Sequence, residues 1–424
     1  MNLTADRLAE RLARALGSEA VVAGADSLAG YEIDGKRPQL VCRPPSPEQV
    51  AAALQICSAA RAAVAPRGGG TAMAIGNPPR EIHIVTETTR LGRVIDHDHA
   101  NLTVTAQSGV TLSALQALLA SKNQFVPIDP PFADRATIGA VAAANLNGPR
   151  RGSYGSVRDL VIGMKVALID GAHIKAGGKV VKNVAGYDMC KLFVGSLGTL
   201  GIITELTLRV APLPETAATF LAAGTLAQCR QLSEALFDSP LLPASVFLSN
   251  GGATDRWELA VWCDGFEETT RRHLRELNTL AARLSAGSEI LAGDSHQAFW
   301  RERSDFPLQP NRLVFRITVP RARLYELLPP IRHWGGAAIL CDLATGTVWV
   351  ACEAKKSPAA RFAELTSLAQ SRGGYAVIFA APAELKHGLE VWGPAPGAFS
   401  LMREIKRRFD PDGLLNPGRF VGGL

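Results

Sequence analysis

The segment PRGGGT, residues 66–71, places three consecutive glycines directly after a short apolar stretch. Because glycine has no Cβ, successive backbone N–H groups in such a run can converge on one anion. Upstream, Ser46 as N-cap, Pro47 in the first turn and Gln49 form a capping box that begins a helix. The order strand, helix, strand, glycine loop predicts a phosphate-binding loop in a domain of mixed helices and strands.

Two further glycine-rich segments follow. They are PIDPPFADRATIGAVAAANLNGPRRGSYG at residues 127–155 and KNVAGYDMCKLFVGSLGTLGI at residues 182–202. The last glycines of the second one are spaced G-x-x-G-x-x-G, which differs from the Rossmann fingerprint, and no Gly-Lys-Ser/Thr closes a Walker loop. One such loop alone could be a tight turn, but three in this order indicate a different phosphate cradle.

Length and composition set the broad class of protein. With 424 residues, 47% of them hydrophobic, the chain can bury a large core and divide into two or three domains. No apolar run reaches the roughly 18 residues that span a bilayer. Leu3, Leu8, Leu12 and Leu16 follow helical spacing between charged residues, unlike a signal peptide. We therefore expect a cytoplasmic protein.

Cysteine spacing and charge exclude other classes. The 7 cysteines contain no C-x-x-C pair, which indicates scattered, reduced core thiols, so iron–sulfur centres would have to lie on another chain. The net charge of +6 is modest and its basic residues are dispersed, without the aromatic interleaving of a nucleic-acid surface. The run Arg403, Lys406, Arg407 and Arg408 is predicted to be a solvated helix face.

Taken together, the three loops resemble the PCMH-type FAD-binding domain of the vanillyl-alcohol oxidase superfamily. The resemblance covers residues 38–214 and resumes at FDPDGLLNPGRF, residues 409–420. It implies an α+β fold, with a FAD-binding domain of two α+β subdomains at residues 1–214. A smaller antiparallel α+β cap domain would follow at residues 215–384, and residues 385–424 would pack back on the FAD domain.

The resemblance also implies where FAD binds. The first loop would lie on the pyrophosphate, the small residues around Ala143, in a strand, would pass close to the isoalloxazine, and the backbone at Gly201 would meet the adenine and ribose. Thr71 replaces a histidine that tethers flavin in some relatives, so FAD is expected to bind non-covalently. The implied cofactor-binding residues are Arg67, Gly68, Gly69, Gly70, Thr71, Asp129, Thr137, Gly139, Ala140, Ala143, Asn145, Gly148, Gly198, Gly201, Ile202, Ile203 and Asn416.

Several of these residues have a second interpretation. Thr137 could be the N-cap of a helix and Asn145 could cap a turn, each without touching a ligand. In the third segment, Tyr187 and Asp188 are predicted to hold a turn through the aspartate side chain. His97 and His99 form an H-x-H pair, but no third ligand is evident, so a solvated turn is expected and no metal site is assigned.

Short motifs distinguish between two groups within this superfamily. The related D-2-hydroxy acid dehydrogenases carry H-G-H-x-G-D-G-N and E-H-G-x-G motifs, which do not occur here; the nearest stretch is Lys386-His387-Gly388. In contrast, GGKVVKNVAGYD, VWGP and FDPDGLLNPGRF together resemble the E subunits of bacterial glycolate oxidase. That family implies a catalytic flavoprotein partner of the D type, an iron–sulfur partner of the F type and only indirect contact with the inner membrane.

The predicted function follows from that resemblance: an FAD-dependent oxidoreductase subunit that serves assembly or electron transfer in oxidation of glycolate to glyoxylate. Oxidation needs a cation for the carboxylate and a base for the hydroxyl proton. The candidates for these two roles, chosen by residue type alone, are Arg301, Arg303 and His387. Leu197 occupies a position where the dehydrogenases often have an acidic residue. The alternatives are a stand-alone oxidoreductase of a small 2-hydroxy acid such as D-lactate, and a non-catalytic scaffold.

Overall fold

A computed structural model describes residues 5–179, 187–251, 255–332, 334, 336–354 and 358–424. Most of the predicted signature KNVAGYD, and Leu3 of the N-terminal stripe, lie outside these residues. Within them the chain has an α+β fold, as predicted. The division into domains at residues 214 and 384 stays a prediction.

The strands of the described residues, in chain order, are β1 (Val21–Val22), β2 (Leu40–Cys42), β3 (Val64–Arg67), β4 (Ile84–Glu87), β5 (Val94–Asp98), β6 (Thr103–Gln107), β7 (Gln124–Phe125), β8 (Val161–Ala167), β9 (His173–Gly177), β10 (Ile202–Arg209), β11 (Ala211–Pro212), β12 (Thr216–Gly224), β13 (Ser245–Asn250), β14 (Trp257–Gly265), β15 (Gly287–Ala292), β16 (Arg312–Thr318), β17 (Ala338–Asp342), β18 (Thr347–Glu353) and β19 (Tyr375–Ala380).

The α-helices are α1 (Ala5–Leu16), α2 (Ala25–Leu28), α3 (Pro47–Ala59), α4 (Leu112–Ala120), α5 (Ile138–Ala144), α6 (Arg151–Tyr154), α7 (Val157–Leu160), α8 (Met189–Phe193), α9 (Leu226–Phe237), α10 (Glu267–Arg283), α11 (Gly293–Asp305), α12 (Leu328–Arg332), α13 (Pro358–Gln370), α14 (Ala383–Lys386) and α15 (Phe399–Phe409).

The strands form three sheets of 4, 5 and 8 strands and one small pair. The first has the order β1-β2-β4-β3, with β2, β4 and β3 parallel. The second is antiparallel with the order β5-β6-β10-β8-β9. The third, called the large sheet below, is antiparallel with the order β15-β12-β14-β13-β17-β18-β16-β19.

Helix α3 begins as predicted but uses its capping residues differently. The Ser46 hydroxyl accepts the hydrogen bond of the Gln49 backbone N–H at 3.3 Å. The side chain of Gln49 instead donates to the carbonyls of Ala15 and Leu16 at 3.3 and 3.4 Å. Half of the predicted capping box is therefore replaced by a link to the end of α1, whose Leu8 and Leu12 are buried beside α3.

Strand β6 is buried on both faces, although threonines alternate with apolar residues along it. Val104 and Ala106 belong to an apolar core, yet Thr103 and Thr105 are also only 8% and 6% exposed. The hydroxyl of Thr105 lies 3.0 Å from that of Thr207 on the neighbouring strand β10. Threonine reads as solvent-facing in a sequence pattern, but a paired hydroxyl group is tolerated in a core.

Residues 138–144 form helix α5, not the strand that the sequence analysis predicted around Ala143. Their alanines favour a helix intrinsically, and small side chains give no periodic pattern from which to choose. The helix ends at Asn145, whose φ of 48° is left-handed. Thr137 stands at the N-cap position, although its side chain makes no capping hydrogen bond.

The large sheet separates two cores. One face packs with α9, α10 and α13 around Phe220, Leu277 and Phe315. On the other face, Val314 and Val377 join the apolar core of the five-stranded sheet, which includes Ile128. This second contact places the large sheet directly over the residues that follow α5.

All seven cysteines are buried, so their predicted core location is confirmed. Burial raises the pKa of the Cys42 thiol to about 12 and that of Cys190 to about 11. A thiol with so high a pKa carries little thiolate near neutral pH and reacts slowly. Among the described helices, none combines the length and the apolar character required to cross a bilayer.

The C-terminal basic run is not uniformly solvated, because Lys406 is buried. Its ammonium group donates to Asp410 at 2.6 Å and to the carbonyls of Thr199 and Leu415 at 2.8 and 2.9 Å. Asp410 also accepts the backbone N–H of Leu414 and that of Leu415. The pair thus fixes the turn after α15, whereas Arg407 and Arg408 are exposed as predicted.

Asp410→Asn should lower the free energy of unfolding by about 3 kcal/mol, since it leaves the buried Lys406 ammonium without its counter-charge. The control is Glu404→Gln, which removes the exposed pair with Arg407 on the same helix and should cost less than about 1 kcal/mol. Urea unfolding of both variants measures the difference. Equal losses in the two variants would contradict a stabilising role for the buried pair.

Candidate functional site

A cleft opens where the first and third glycine-rich segments, helix α5 and the C-terminal tail meet. It brings together most of the predicted cofactor-binding residues, namely Arg67, Gly68, Gly70, Thr71, Gly139, Ala140, Ala143, Gly198, Gly201, Ile202, Ile203 and Asn416. Other lining residues were not predicted from the sequence as ligand contacts: Pro66, Ala72, Met73, Thr88, Ala144, Leu197 and Arg419. Four distant parts of the chain therefore build one concave surface.

The first loop packs tightly against the start of α5. A Cβ on Gly68 would collide with the hydroxyl of Thr137, and one on Gly69 would collide with the carbonyl oxygen of Arg135. Gly70 has a φ of 76°, which favours glycine. Gly68 and Gly69 are thus required by contact between two protein segments, a reason that adds to the predicted access of backbone N–H groups to an anion.

The third segment is held by hydrogen bonds to α5 and to the tail. The backbone N–H of Leu197 donates to the carbonyl of Ala143 at 2.8 Å. The Asn416 amide donates to the carbonyl of Leu197 at 2.7 Å. Both Leu197 and Asn416 have positive φ, 52° and 45°. This left-handed backbone is uncommon for leucine, so the tail and α5 together impose a local strain at the cleft.

The charged side chains that line the cleft in the described chain are all positive, as a diphosphate-containing ligand requires. Arg67 and Arg419 line it, and among its described lining residues there is no acidic side chain. Four buried atoms of lining residues have no hydrogen-bond partner in the described protein: Arg67 Nε, Thr71 Oγ1, Asn416 Oδ1 and Arg419 Nε. Buried polar atoms are rarely left unpaired in native proteins, so these atoms suit a bound polar ligand.

Arg419 belongs to a buried charged cluster that the sequence analysis did not anticipate. Lys386 donates to both carboxylate oxygens of Asp34, at 2.9 and 3.0 Å, and to the carbonyl of Ala74 at 2.6 Å. Arg419 donates to Asp34 at 3.1 Å and to the carbonyl of Met73 at 2.8 Å. Burial lowers the pKa of Lys386, and the charge of Asp34 opposes this. The cluster fastens residues 73–76 to the C-terminal tail.

Five predicted ligand residues lie outside the lining of this cleft. Gly69 and Thr137 lie at the contact between the first loop and the start of α5, where Gly69 packs on Arg135 and Thr137 packs on Gly68. Asp129 forms an ion pair with Arg150, with Oδ1 at 2.5 Å and Oδ2 at 2.9 Å from the guanidinium nitrogens, and Gly148 packs on the Asp129 backbone. Asn145 caps α5, as its second interpretation held. Ligand contact by these five residues stays a prediction.

A second cleft lies between the residues that follow α5 and the large sheet. Its described lining residues are Pro131, Asn145, Leu146, Asn147, Gly148, Arg151, Pro307, Arg316, Thr318, Asp342, Thr345, Thr347, Trp349, Tyr375 and Phe379. The first cleft is lined by Ala143 and Ala144 and the second by Asn145 and Leu146, so the two clefts adjoin at the end of α5.

Arg316 and Asp342 dominate the chemistry of the second cleft. The guanidinium of Arg316 lies 5.1 Å from the Phe379 ring centre and makes no ion pair with any described residue. Burial lowers its pKa, as does the nearby charge of Arg151. Burial also raises the pKa of Asp342 to about 6, although its carboxylate accepts hydrogen bonds from Thr345 and from the Ala344 backbone.

The residues that the sequence suggested for carboxylate binding and proton transfer lie outside both clefts. Arg303 pairs with Glu258 at 2.7 Å, while Arg301 and His387 are exposed, and none of them lines either cleft. His97 bonds to Gln124 at 2.8 Å, with the ring of His99 6.2 Å away. In the part of the chain that the structure describes, no cluster of three metal-ligating side chains was found.

Comparison with known proteins gives this arrangement a family. Residues 38–177 match the family described as FAD binding domain, and residues 394–420 match the C-terminal domain of FAD linked oxidases. The glycolate oxidase subunit GlcD of Bacillus subtilis is 31% identical over 420 residues, which cover 90% of this chain and 88% of that protein. This chain belongs to the FAD-linked oxidases.

Other members and a solved structure agree. The glycolate oxidase subunit GlcE of Escherichia coli is 31% identical over 337 residues, covering 78% of this chain and 85% of that protein. The structure of p-cresol methylhydroxylase with substrate bound has a TM-score of 0.75 at 16% identity and covers 98% of this chain and 96% of its own. The FAD-binding fold predicted from the three loops is thereby confirmed.

The FAD-linked oxidase described here is an FAD-dependent oxidoreductase, and FAD is its cofactor. The first cleft fits that group, since it combines two arginines, a glycine loop and unpaired buried donors and acceptors. Arg67, Thr71, Asn416 and Arg419 are the side chains that would hold it. Thr71 lines the cleft at the position where some relatives have the histidine that tethers flavin covalently. Non-covalent binding of FAD stays a prediction.

Gly68→Ala should weaken FAD binding about tenfold, because relieving the overlap with Thr137 costs about 1–3 kcal/mol and displaces the loop. Quenching of flavin fluorescence on titration of apoprotein gives the dissociation constant. The matched control is Gly397→Ala, whose new Cβ meets no atom within 4 Å and should leave binding unchanged. Equal affinity in both variants would show that the loop contact does not shape the site.

Proposed function

We propose that this FAD-linked oxidase oxidises a small 2-hydroxy acid to the corresponding 2-oxo acid, as a subunit of a glycolate oxidase complex. The observation that carries the proposal is Arg316, a cation without an ion-pair partner among the described residues, in the cleft that adjoins the FAD cleft. A planar guanidinium binds a carboxylate through two parallel hydrogen bonds.

The unpaired state of Arg316 supports a ligand role. Its Nε atom is buried without a hydrogen bond, and its ring contact with Phe379 only partly replaces lost hydration. A bound carboxylate would restore both a counter-charge and hydrogen bonds. The ion-paired Arg303, by contrast, already has Glu258 as its partner.

Proton transfer requires a second group in the same cleft. Asp342 is the single acidic side chain among the described lining residues, and a carboxyl group with a pKa of about 6 is suited to proton exchange near neutral pH. Its hydrogen bonds to Thr345 and Ala344 hold it in one orientation. Bound FAD supplies the hydride acceptor. Arg316 would orient the acid, and Asp342 would accept the hydroxyl proton.

The proposed place in a complex rests on relatives and on sequence. Relatives at 31% identity are named as glycolate oxidase subunits GlcD and GlcE. The sequence has no cysteine cluster for an iron–sulfur centre, so electrons from the flavin would pass to an iron–sulfur subunit of the F type. A catalytic D-type subunit, glycolate as the acid and indirect contact with the inner membrane belong to the same proposal.

A second candidate function is electron transfer or assembly beside a catalytic D-type subunit, without substrate at this chain's own flavin. It is favoured by the resemblance to the E subunits and by the absence of the H-G-H-x-G-D-G-N motif from the sequence. The two candidates differ in one respect only, which is whether a hydroxy acid reaches the flavin of this chain.

Anaerobic spectroscopy separates the candidates. The purified chain, alone and with D- and F-type subunits, is mixed with glycolate or D-lactate without oxygen while flavin absorbance is recorded. Bleaching of the lone chain is the result expected from the leading proposal. Bleaching only in the presence of the D-type subunit supports the second candidate, and a colourless protein after careful purification would contradict both.

Arg316→Met should lower kcat/KM for the acid that bleaches the flavin by about 30-fold or more, because loss of one partner of a desolvated charge pair costs 2 kcal/mol or more. The FAD dissociation constant should not change, since Arg316 does not line the first cleft. Arg301→Gln, at an exposed position of α11, is the control and should keep full activity. Unaltered kcat/KM in the Arg316 variant would remove it from the proposal.

A further inference from the structure

Strand β15 forms one edge of the large sheet, and its outer side is open. It pairs with β12 in an unbroken register from Gly287 to Ala292. Between residues 287 and 291, none of its backbone groups bonds to any other described element. Because alternate residues of a strand direct their N–H and C=O groups to opposite sides, about half of these groups face outward.

The opposite edge of the same sheet is treated differently. There β19 is buried beyond Tyr375, and the N–H of Ile378 donates to the carbonyl of Val391 at 2.8 Å. In β15 every residue except Leu291 is exposed, and the strand has neither a proline nor a bulge. Natural proteins usually protect such an edge, so one left open over the five residues 287–291 suggests a partner.

A basic groove runs beside this edge. Helix α10 forms its wall and Ile290 its floor, and its lining within the described chain is Arg271, Leu274, Arg275, Asn278, Thr279, Ala282, Arg283 and Ile290, with no acidic residue. Arg271 pairs with Glu267. Arg275 and Arg283 are exposed and make no ion pair with a described residue. The groove therefore has free positive charge along an apolar floor.

The arrangement of side chains decides between two occupants. Ile290 pairs with Phe220 and faces α10, so Glu289 points to the opposite side of the sheet. If two copies paired through β15, their α10 helices would lie on the same side of the joined sheet and bring the unpaired Arg275 and Arg283 of each copy together in a groove whose described lining has no acidic residue. Like charges at close range oppose such pairing. An extended segment with carboxylates would instead meet complementary charge.

We propose that β15 and α10 form a docking site for an extended acidic segment of another protein. The segment adds to the large sheet as a further strand, and its acidic side chains on the helix side lie against Arg275 and Arg283. Backbone hydrogen bonds supply affinity, and the arginines supply selectivity for acidic residues. The site is separate from both clefts, so the proposal does not depend on the redox function.

A fluorescent peptide of alternating threonine and glutamate tests this with the full-length holoprotein. Threonine favours a strand and the alternation places all carboxylates on one side. Fluorescence anisotropy should show saturable binding that is lost at about 1 M salt, where the screening length is about 3 Å. The Arg275→Glu/Arg283→Glu variant should bind the peptide about tenfold more weakly than the unaltered protein does. The Arg403→Glu/Arg408→Glu variant, with its changes on helix α15, should bind the peptide normally.

Two N-methylated peptides test strand addition itself. One is methylated at every threonine and the other at every glutamate, which blocks backbone donors on one side or the other. Strand addition predicts that one of them binds and the other does not. Equal binding of both, equal binding of a threonine–lysine peptide, or no binding of the parent peptide would overturn the proposal. So would a dimer in sedimentation that Ile290→Lys alone converts to monomer.

Discussion

Close contact between the loop PRGGGT and the start of helix α5 is the constraint on which the cofactor site depends. Gly68 and Gly69 let the loop backbone approach Thr137 and Arg135 more closely than any side chain would allow. That approach turns the loop and α5 into two walls of one cleft. A glycine run in a phosphate loop thus acts twice, because it admits an anion to the backbone and also lets two protein segments meet.

The other walls of the cleft come from the end of the chain. Asn416 bonds to the strained backbone at Leu197, and Arg419 joins Lys386 around the single carboxylate of Asp34. Two cations around one anion leave positive charge buried next to the cleft. Such a cluster is costly without compensation. A diphosphate bound beside Arg419 would offer that compensation and would link docking of the tail to the chemistry of the ligand.

The large sheet contributes the second cleft, which adjoins the cofactor cleft at the end of α5. One face carries its own helices, and the other places Arg316 and Asp342 over the end of α5. The adjoining clefts therefore combine one surface suited to a phosphorylated cofactor with another suited to a small carboxylate. At the far edge of the same sheet, β15 presents unpaired backbone groups beside free arginines. A single sheet thus carries the residues of both proposals, the carboxylate site at Arg316 and the docking edge at β15.

The α+β fold, the FAD-linked family and most of the cleft lining could be predicted from patterns in the sequence. Glycine runs and motif order are local signals, because the backbone requirement and the residue that meets it occupy the same position. The helix at residues 138–144 was missed because its small side chains give no periodic pattern. The burial of Lys406 and the cluster of Arg419, Lys386 and Asp34 depend instead on how distant segments pack. Arg316 was missed for the same reason. Burial and pairing arise from contacts between distant segments, and such contacts leave no pattern in any one stretch of sequence.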